Sequence, residues 1–105
     1  MDNNETLKAN GSKVFVVIRG EEDDSDVREV LETFDNLQDA IKFRNEVFLE
    51  AQGYDPEEFN DPVAMKEIME EMENYVEDMK TCFVSNGIEF FEVKEKVKKK
   101  SKKAA

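Results

Sequence analysis

Histidine is absent from the 105-residue chain, and cysteine occurs only once, as Cys82. The lack of histidine removes the usual general base near neutral pH and the commonest metal ligand. A single cysteine cannot form an internal disulfide, and without histidine it is a poor candidate nucleophile. The four glycines are scattered and form no phosphate-binding motif. These absences predict a protein that is not an enzyme and that uses no cofactor and no metal ion.

Long hydrophobic runs are also missing. No window approaches the roughly 18 consecutive apolar residues of a membrane-spanning helix, and no apolar run follows the polar start MDNNETLKAN, as it would in a signal peptide. A lone cysteine is typical of a reducing compartment. We therefore expect a cytoplasmic location.

Charge is abundant and unevenly distributed. The formal net charge is −11, but residues 1–92 carry 25 acids and 8 bases, whereas residues 93–105 carry seven lysines and one acid. The chain is thus an acidic body of −17 followed by a basic end of +6. Such asymmetry bears on binding partners more than on the fold.

The first half of the domain reads as two strands and a helix. Residues 13–19, KVFVVIR, are rich in β-branched residues and predict a strand, and the acidic turn GEEDDSD follows. Residues 27–34 fit helical spacing and one strand face equally well. Asn36 is a good N-cap for a new helix, which indicates that a different element ends near Phe34. We therefore predict a second strand at 27–34 and a first helix at 37–52.

The second half predicts a helix and a strand. Gly53 ends the first helix, and a connector over residues 54–62 contains both prolines. It leads into a second helix over 62–83, which carries a stripe of methionines. Asn86 and Gly87 end that helix, and IEFFEV at 88–93 predicts a third strand. The expected fold is α+β, a three-stranded antiparallel sheet in β-β-α-α-β order with two helices on one face. Open sheet edges favour a homodimer.

The sequence divides the chain into three regions. Residues 1–12 are expected to be a flexible lead, residues 13–93 a single α+β domain, and residues 94–105 a disordered Lys-rich tail. The tail has three open interpretations: a solubilising end, a segment that screens the acidic body, or a weak contact to nucleic acid.

The candidate binding residues are acids in three clusters. On the predicted second helix, five acids share roughly one face opposite the methionines: Glu67, Glu70, Glu71, Glu77 and Asp78. The other two clusters are the turn (Glu21, Glu22, Asp23, Asp24, Asp26) and the connector (Asp55, Glu57, Glu58). The helix acids recur every ~5–6 Å, comparable with one DNA phosphate per about 3.4 Å of axis. The turn lacks the glycine and spacing of a helix–loop–helix calcium site. A solubilising surface is the alternative interpretation.

Three segments carry a resemblance to known proteins: KVFVVIRGEEDDSDVREVLETFDNLQDAIKF, KEIMEEMENYVEDMK and IEFFEV. Together they resemble small acidic bacteriophage-encoded proteins that mimic DNA and inhibit host DNA-binding proteins, including inhibitors of the histone-like protein HU of Bacillus. The resemblance covers about 13–93. It implies an inhibitor that occupies the DNA-binding surface of a basic nucleoid-associated protein in the host bacterial cytoplasm. It implies no small-molecule substrate, no membrane and no direct specific binding of nucleic acid.

A second hypothesis is a small phage-type adaptor that binds a host enzyme, such as RNA polymerase, through apolar patches. The methionine stripe is the candidate contact surface for such a protein, because Met adapts to irregular interfaces.

Overall fold

The structure, a computed structural model, describes residues 13–97. Its elements in chain order are β1 (Lys13–Glu21), β2 (Asp24–Phe34), α1 (Leu37–Ala51), a 3-10 helix (Pro56–Asn60), α2 (Pro62–Glu71), a second 3-10 helix (Glu73–Tyr75), α3 (Val76–Met79), β3 (Phe83–Ser85) and β4 (Glu89–Val97). The four strands form one antiparallel sheet in the order β2-β1-β4-β3. The fold is α+β, but the predicted three-stranded sheet in β-β-α-α-β order is wrong.

The hairpin of β1 and β2 confirms the two strands predicted at 13–19 and 27–34. Both strands are longer than predicted, and β1 lies in the sheet interior, which suits its nearly continuous apolar run. Val17 pairs with Glu32, but the next residue, Ile18, pairs with Val30, so Leu31 is an extra residue in β2. Leu31 packs against the core despite the slip.

The last strand extends further than the sequence predicted. β4 pairs with β1 along its whole length, from Glu89 opposite Glu21 to Val97 opposite Lys13. Residues 94–97 therefore belong to the sheet and not to a disordered tail, because β1 supplies them with a partner strand. The predicted lead at 1–12 and the rest of the predicted tail, 98–105, lie outside the described residues.

Helix α1 forms where the sequence predicts it. The Asn36 side chain accepts a hydrogen bond from the Asp39 N–H at 2.8 Å, which caps the first turn. At the other end Gly53 has φ +103°, a left-handed conformation that glycine adopts readily. The predicted helix 37–52 is confirmed to within one residue.

The predicted second helix over 62–83 is wrong, because the chain breaks it twice. Met72 leaves helical geometry with φ −98° and ψ 27°, and only short helices follow. The Thr81 hydroxyl then donates to the Asp78 carbonyl at 2.8 Å, while the Phe83 N–H donates to the same hydroxyl at 3.3 Å. These bonds turn the chain out of α3 and into β3.

The helices cover one face of the sheet. Phe15 and Val17 of β1 pack with Ala40 of α1 and with Val93 of β4, and a larger cluster centres on the fully buried Phe48. Met72 and Met79 are buried in that larger cluster, so the methionine stripe forms core and not surface. The opposite sheet face, which we call the outer face, carries the residues of β1 that alternate with these, namely Val16, Ile18 and Gly20. All three are buried as well.

Candidate functional site

Negative charge is concentrated in the segment between α1 and β3. Residues 50–80 contain 11 carboxylates and two lysines, and all 11 carboxylate residues are exposed. We call these residues the acidic layer: Glu50, Asp55, Glu57, Glu58, Asp61, Glu67, Glu70, Glu71, Glu73, Glu77 and Asp78. Every predicted binding residue outside the turn belongs to it.

Helix α2 presents the most regular part of the acidic layer. Its start is fixed by Pro62 at the first position and by the Asp61 side chain, which accepts from the Val63 N–H at 3.0 Å. Ile68 is buried in the core, so the opposite side of the helix faces solvent. The outward positions are Glu67, Glu70 and Glu71. Residues three and four apart on a helix have Cβ atoms ~5–6 Å apart, so these carboxylates are neighbours.

The other two acids predicted on that face lie elsewhere. Glu77 and Asp78 belong to α3, beyond the break at Met72, so the predicted continuous face from 67 to 78 is wrong. The Lys80 ammonium lies 3.8 Å from the Glu77 carboxylate, and both side chains are exposed. Such a surface pair is worth about 0–1 kcal/mol. Glu77 and Asp78 therefore lie beyond the α2 carboxylates and do not continue their row along the same helix.

The connector is a folded element that carries its acids at the surface. Asp55 caps the first 3-10 helix by accepting from the Glu57 N–H at 2.9 Å, and Phe59 anchors that helix in the core. The side chains of Glu57 and Glu58 are left in solvent. The predicted connector acids are therefore exposed on a folded element.

Tyr54 links the connector to α2. Its hydroxyl donates to the Glu71 carboxylate at 2.9 Å. This hydrogen bond is the main reason that the pKa of Tyr54 is raised above its ordinary value, with burial and the charge of Glu71 contributing in the same direction. The bond orients one carboxylate of the acidic layer from a residue that the sequence did not single out.

The turn cluster is less available than the sequence suggested. Glu21 lies 3.8 Å from Arg19, and the Glu22 carboxylate accepts from the Ser85 hydroxyl. Asp24 accepts from the Asp26 N–H at 3.0 Å. Within 13–97, no group of three or more acidic or cysteine side chains is arranged to hold a metal ion. Neighbouring groups, including the Ser85 hydroxyl of β3, therefore satisfy part of this predicted site.

The bases of the described chain lie mainly in the sheet and pair there. Arg19 contacts Glu29 at 3.1 Å and also contacts Glu89, and the hydrogen bond to Glu89 is the largest cause of its raised pKa. Arg28 lies 3.2 Å from Glu92. Three of the five sheet bases within 13–97, Lys13, Arg19 and Arg28, therefore pair with sheet acids. The acidic layer contains only two bases, Lys66 and Lys80.

Arg44 is the one buried charged residue among those described, and sequence reasoning missed it. Its guanidinium donates from Nη2 to the Met79 carbonyl at 2.7 Å and to the Asn45 side chain at 2.7 Å. Burial lowers the pKa of Arg44 to about 10, against the opposing effects of Cys82 and Asp78, so the group stays protonated at neutral pH. The available signal was its position on the apolar stripe of α1, four residues after Ala40 and four before Phe48.

No helix within residues 13–97 is long and apolar enough to cross a membrane. Comparison of the chain with protein-family models, with curated proteins and with solved structures found no match.

Proposed function

We propose that this protein is an acidic DNA-mimic inhibitor that occupies the DNA-binding surface of a basic host protein, such as the histone-like nucleoid protein HU, in the bacterial cytoplasm. The observation that carries the proposal is the acidic layer, with 11 exposed carboxylates and only two lysines on a folded scaffold. We propose no enzymatic activity and no cofactor for it.

Carboxylates on a rigid surface can replace phosphates for a cationic partner. Lysine and arginine side chains form charge-assisted hydrogen bonds with either group, and arginine binds both in a bidentate manner. A dense negative surface also accelerates association with a basic partner, and salt weakens this effect. The neighbouring carboxylates of α2 lie close enough together to bind a row of such cations.

We rank the candidate contacts by their exposure and by the ion pairs they make within the described residues. Glu67 and Glu70 on α2, with Glu57 and Glu58 on the connector, are exposed and make no ion pair within the described residues. We propose these as the centre of the contact, together with Asp55 and Glu71. Glu77 and Asp78 flank it, and the turn cluster has a secondary role because Glu21 and Glu22 already have partners.

The adaptor hypothesis loses its candidate surface on the helices. Four of the five methionines lie in or against the core, so a partner cannot bind the methionine stripe without unfolding it. The exposed apolar residues that remain include Val30 and Phe83 on the outer face of the sheet.

Competition with DNA tests the proposed function. A fluorescent duplex bound to purified HU would be displaced by increasing concentrations of this protein, at about 50 mM salt, where charge contacts are strong. In the helix variant, Glu67→Gln with Glu70→Gln, we expect the concentration for half displacement to rise about 5- to 30-fold. That range corresponds to about 0.5–1 kcal/mol for each lost exposed contact.

A strand variant, Glu32→Gln with Asp35→Asn, is the matched control. It also removes two negative charges, but from exposed positions at the β2 edge of the sheet. Neither residue makes an ion pair within 13–97. We expect a change below about twofold, since these positions lie outside the acidic layer. Equal effects of the two variants would show that net charge alone matters, and failure of the parent protein to displace DNA would refute the proposal for HU.

A further inference from the structure

A cleft of about 400 Å³ lies between the first half of α1 and the end of α3. It is lined by two lysines, two side-chain amides and two apolar residues: Lys42, Lys80, Gln38, Asn45, Ile41 and Met79. None of these lining residues is an acid, although acids outnumber bases by 26 to 15 in the chain. The cleft is therefore cationic on a molecule whose surface is mainly acidic.

Arg44 lies behind the wall of this cleft. Its side chain is fully buried, and its Nη2 donates to the Met79 carbonyl and to Asn45 Oδ1, both at 2.7 Å. Its Nε donates to the same Asn45 oxygen at 2.9 Å. Asn45 and Met79 both line the cleft, so the positive charge of Arg44 lies immediately behind residues that a ligand would touch.

The charge of Arg44 is not balanced by an ion pair within residues 13–97. Asn45 and Met79 use the Nε and Nη2 donors of the guanidinium, and Nη1 is buried without a hydrogen-bond partner among the described residues. Burial lowers the pKa of Arg44 to about 10, so the group is still a cation at neutral pH. A buried cation without a counter-ion is unfavourable, and an anion held in the cleft would stabilise it.

Arg44 also determines which atom Asn45 offers to a ligand. Because Asn45 Oδ1 accepts both bonds from the guanidinium, the amide must be oriented with its oxygen towards Arg44. The Nδ2 group, which is a donor, is then the polar atom that Asn45 can present to the cleft. This orientation favours an acceptor such as an oxyanion as the ligand.

The two lysines of the cleft are available for a ligand. The Lys42 ammonium lies 2.6 Å from the Glu46 carboxylate, and the Lys80 ammonium lies 3.8 Å from that of Glu77. Both lysine side chains are about two-thirds exposed, at 66% and 67%. Exposed ion pairs contribute little to stability, so either ammonium can turn to a bound anion at little cost.

We propose that the cleft between α1 and α3 binds a small organic phosphate monoester. The phosphate accepts hydrogen bonds from the ammonium groups of Lys42 and Lys80 and from the Asn45 amide, and the organic group rests on Ile41 and Met79. Arg44 acts as a positioning residue that orients Asn45 and adds positive charge behind it. This site does not depend on the proposed function, because the residues that line the cleft include none of the carboxylates of the acidic layer.

The charge and the lining of the cleft select this class of ligand. A phosphate monoester carries a charge of roughly −1.5 to −2 at neutral pH, which matches the three cations Lys42, Arg44 and Lys80 better than a single carboxylate does. Lysine binds phosphate well because its ammonium acts as a compact point charge. The apolar side chains and a volume within the ~300–1,000 Å³ of small-molecule sites favour an organic ester over the bare ion.

Titration of the ¹⁵N-labelled full chain with phenyl phosphate, followed by two-dimensional NMR at constant ionic strength, tests this proposal. We expect saturable shifts of the amide signals of residues 38–45 and 79–80, with a Kd of about 0.1–1 mM for a small ligand held by a few contacts. Inorganic phosphate should bind about 10-fold more weakly, because it lacks the apolar group.

Three variants separate binding at the cleft from stability and from net charge. Asn45→Asp keeps an acceptor for Arg44, so the urea midpoint should not fall, but it replaces the amide donor with a negative charge and should raise the Kd at least about 10-fold. Lys80→Gln should raise the Kd about 3- to 10-fold. Lys66→Gln is the matched control, because it removes the same charge from an exposed position on α2 outside the cleft, and should change the Kd less than about twofold.

Three results would overturn the proposal. The first is the absence of saturable shifts at the cleft in the parent protein up to about 20 mM phenyl phosphate, well above the expected Kd. The second is equal weakening by Lys80→Gln and Lys66→Gln, which would show a diffuse charge effect. The third is inorganic phosphate binding as tightly as phenyl phosphate, which would exclude a role for the apolar lining.

Discussion

The close contact between Gly20 and Phe90 leads to a quantitative prediction for Gly20→Ala. An alanine Cβ would lie 2.2 Å from Cζ of the Phe90 ring and 2.6 Å from the next ring carbon. Ordinary carbon contacts are about 3.5–4.0 Å, so the ring would have to move by roughly 1.5 Å. The ring is 94% buried and contacts both Arg28 and Phe83, so it has little room to move without losing these contacts.

The expected loss of stability is about 3 kcal/mol. Overpacking a well-packed site costs ~1–3 kcal/mol, and the lost aromatic stacking and cation–π contacts add ~1–2 kcal/mol. Replacing glycine by alanine in a strand returns ~0.5–1 kcal/mol by reducing the entropy of the unfolded chain. Urea unfolding followed by far-UV circular dichroism would measure the difference, since the chain has no tryptophan.

A double-mutant cycle with Phe90→Ala isolates the steric effect. Once the ring is gone, Gly20→Ala should be neutral or stabilising by ~0.5–1 kcal/mol, which gives a coupling energy of about 3–4 kcal/mol. If Gly20→Ala destabilised the protein equally with and without the Phe90 ring, the close approach would not be the reason for glycine at this position.

Three further predictions concern stability. Arg44→Ala should cost about 3–5 kcal/mol in urea unfolding, because it leaves a cavity and removes the donor to the Met79 carbonyl; a cost below 1 kcal/mol would contradict this role. Asn36→Ala should cost about 1 kcal/mol by the same assay through loss of the α1 cap, whereas an unchanged midpoint would mean that the cap contributes nothing. The pKa of Tyr54 is raised in the folded state, so its stabilising effect is present below its ordinary pKa of 10 and is lost as the pH rises above that value. Urea titrations should therefore show parent and Tyr54→Phe proteins converging in stability above about pH 10, and a constant difference would argue against the bond to Glu71.

Local signals in the sequence were sufficient for the first half of the fold. The β-branched run of β1, the Asn36 cap and the left-handed Gly53 each specify their structure through neighbouring residues. The fourth strand could not be found in this way. β3 has three residues, and it exists because Val84 packs between helix and sheet while its backbone pairs with β4.

The broken second helix shows the limit of periodicity. Met72 and Met79 keep helical spacing and both reach the core, yet the chain between them passes through a 3-10 turn. Helical spacing therefore indicated which residues share a side, but neither the burial of the methionines nor the backbone that achieves it. The same holds for Phe90 and Phe91, whose alternation fits a strand but does not reveal that Gly20 lies beneath Phe90.

The sequence predicted which acids are exposed at the candidate site, but not which acids already have partners in the fold. Exposure of Glu67 and Glu70 follows from their positions opposite the apolar stripe. Neutralisation depends on residues far apart in the chain, such as Ser85, which is 63 positions from its partner Glu22. Only the folded arrangement separates the paired acids of the sheet from the acids of the helical segment.

The central claim is that the acidic layer acts as a fixed row of anions for a cationic groove, and the salt dependence of binding tests it most directly. Titration calorimetry of HU with the parent protein and with Glu67→Gln/Glu70→Gln would give the slope of log Kd against log salt concentration. We predict a steep slope for the parent and a smaller slope for the variant, because each carboxylate removed eliminates a contact that salt screens. Tight binding with the same slope for both proteins would contradict the account.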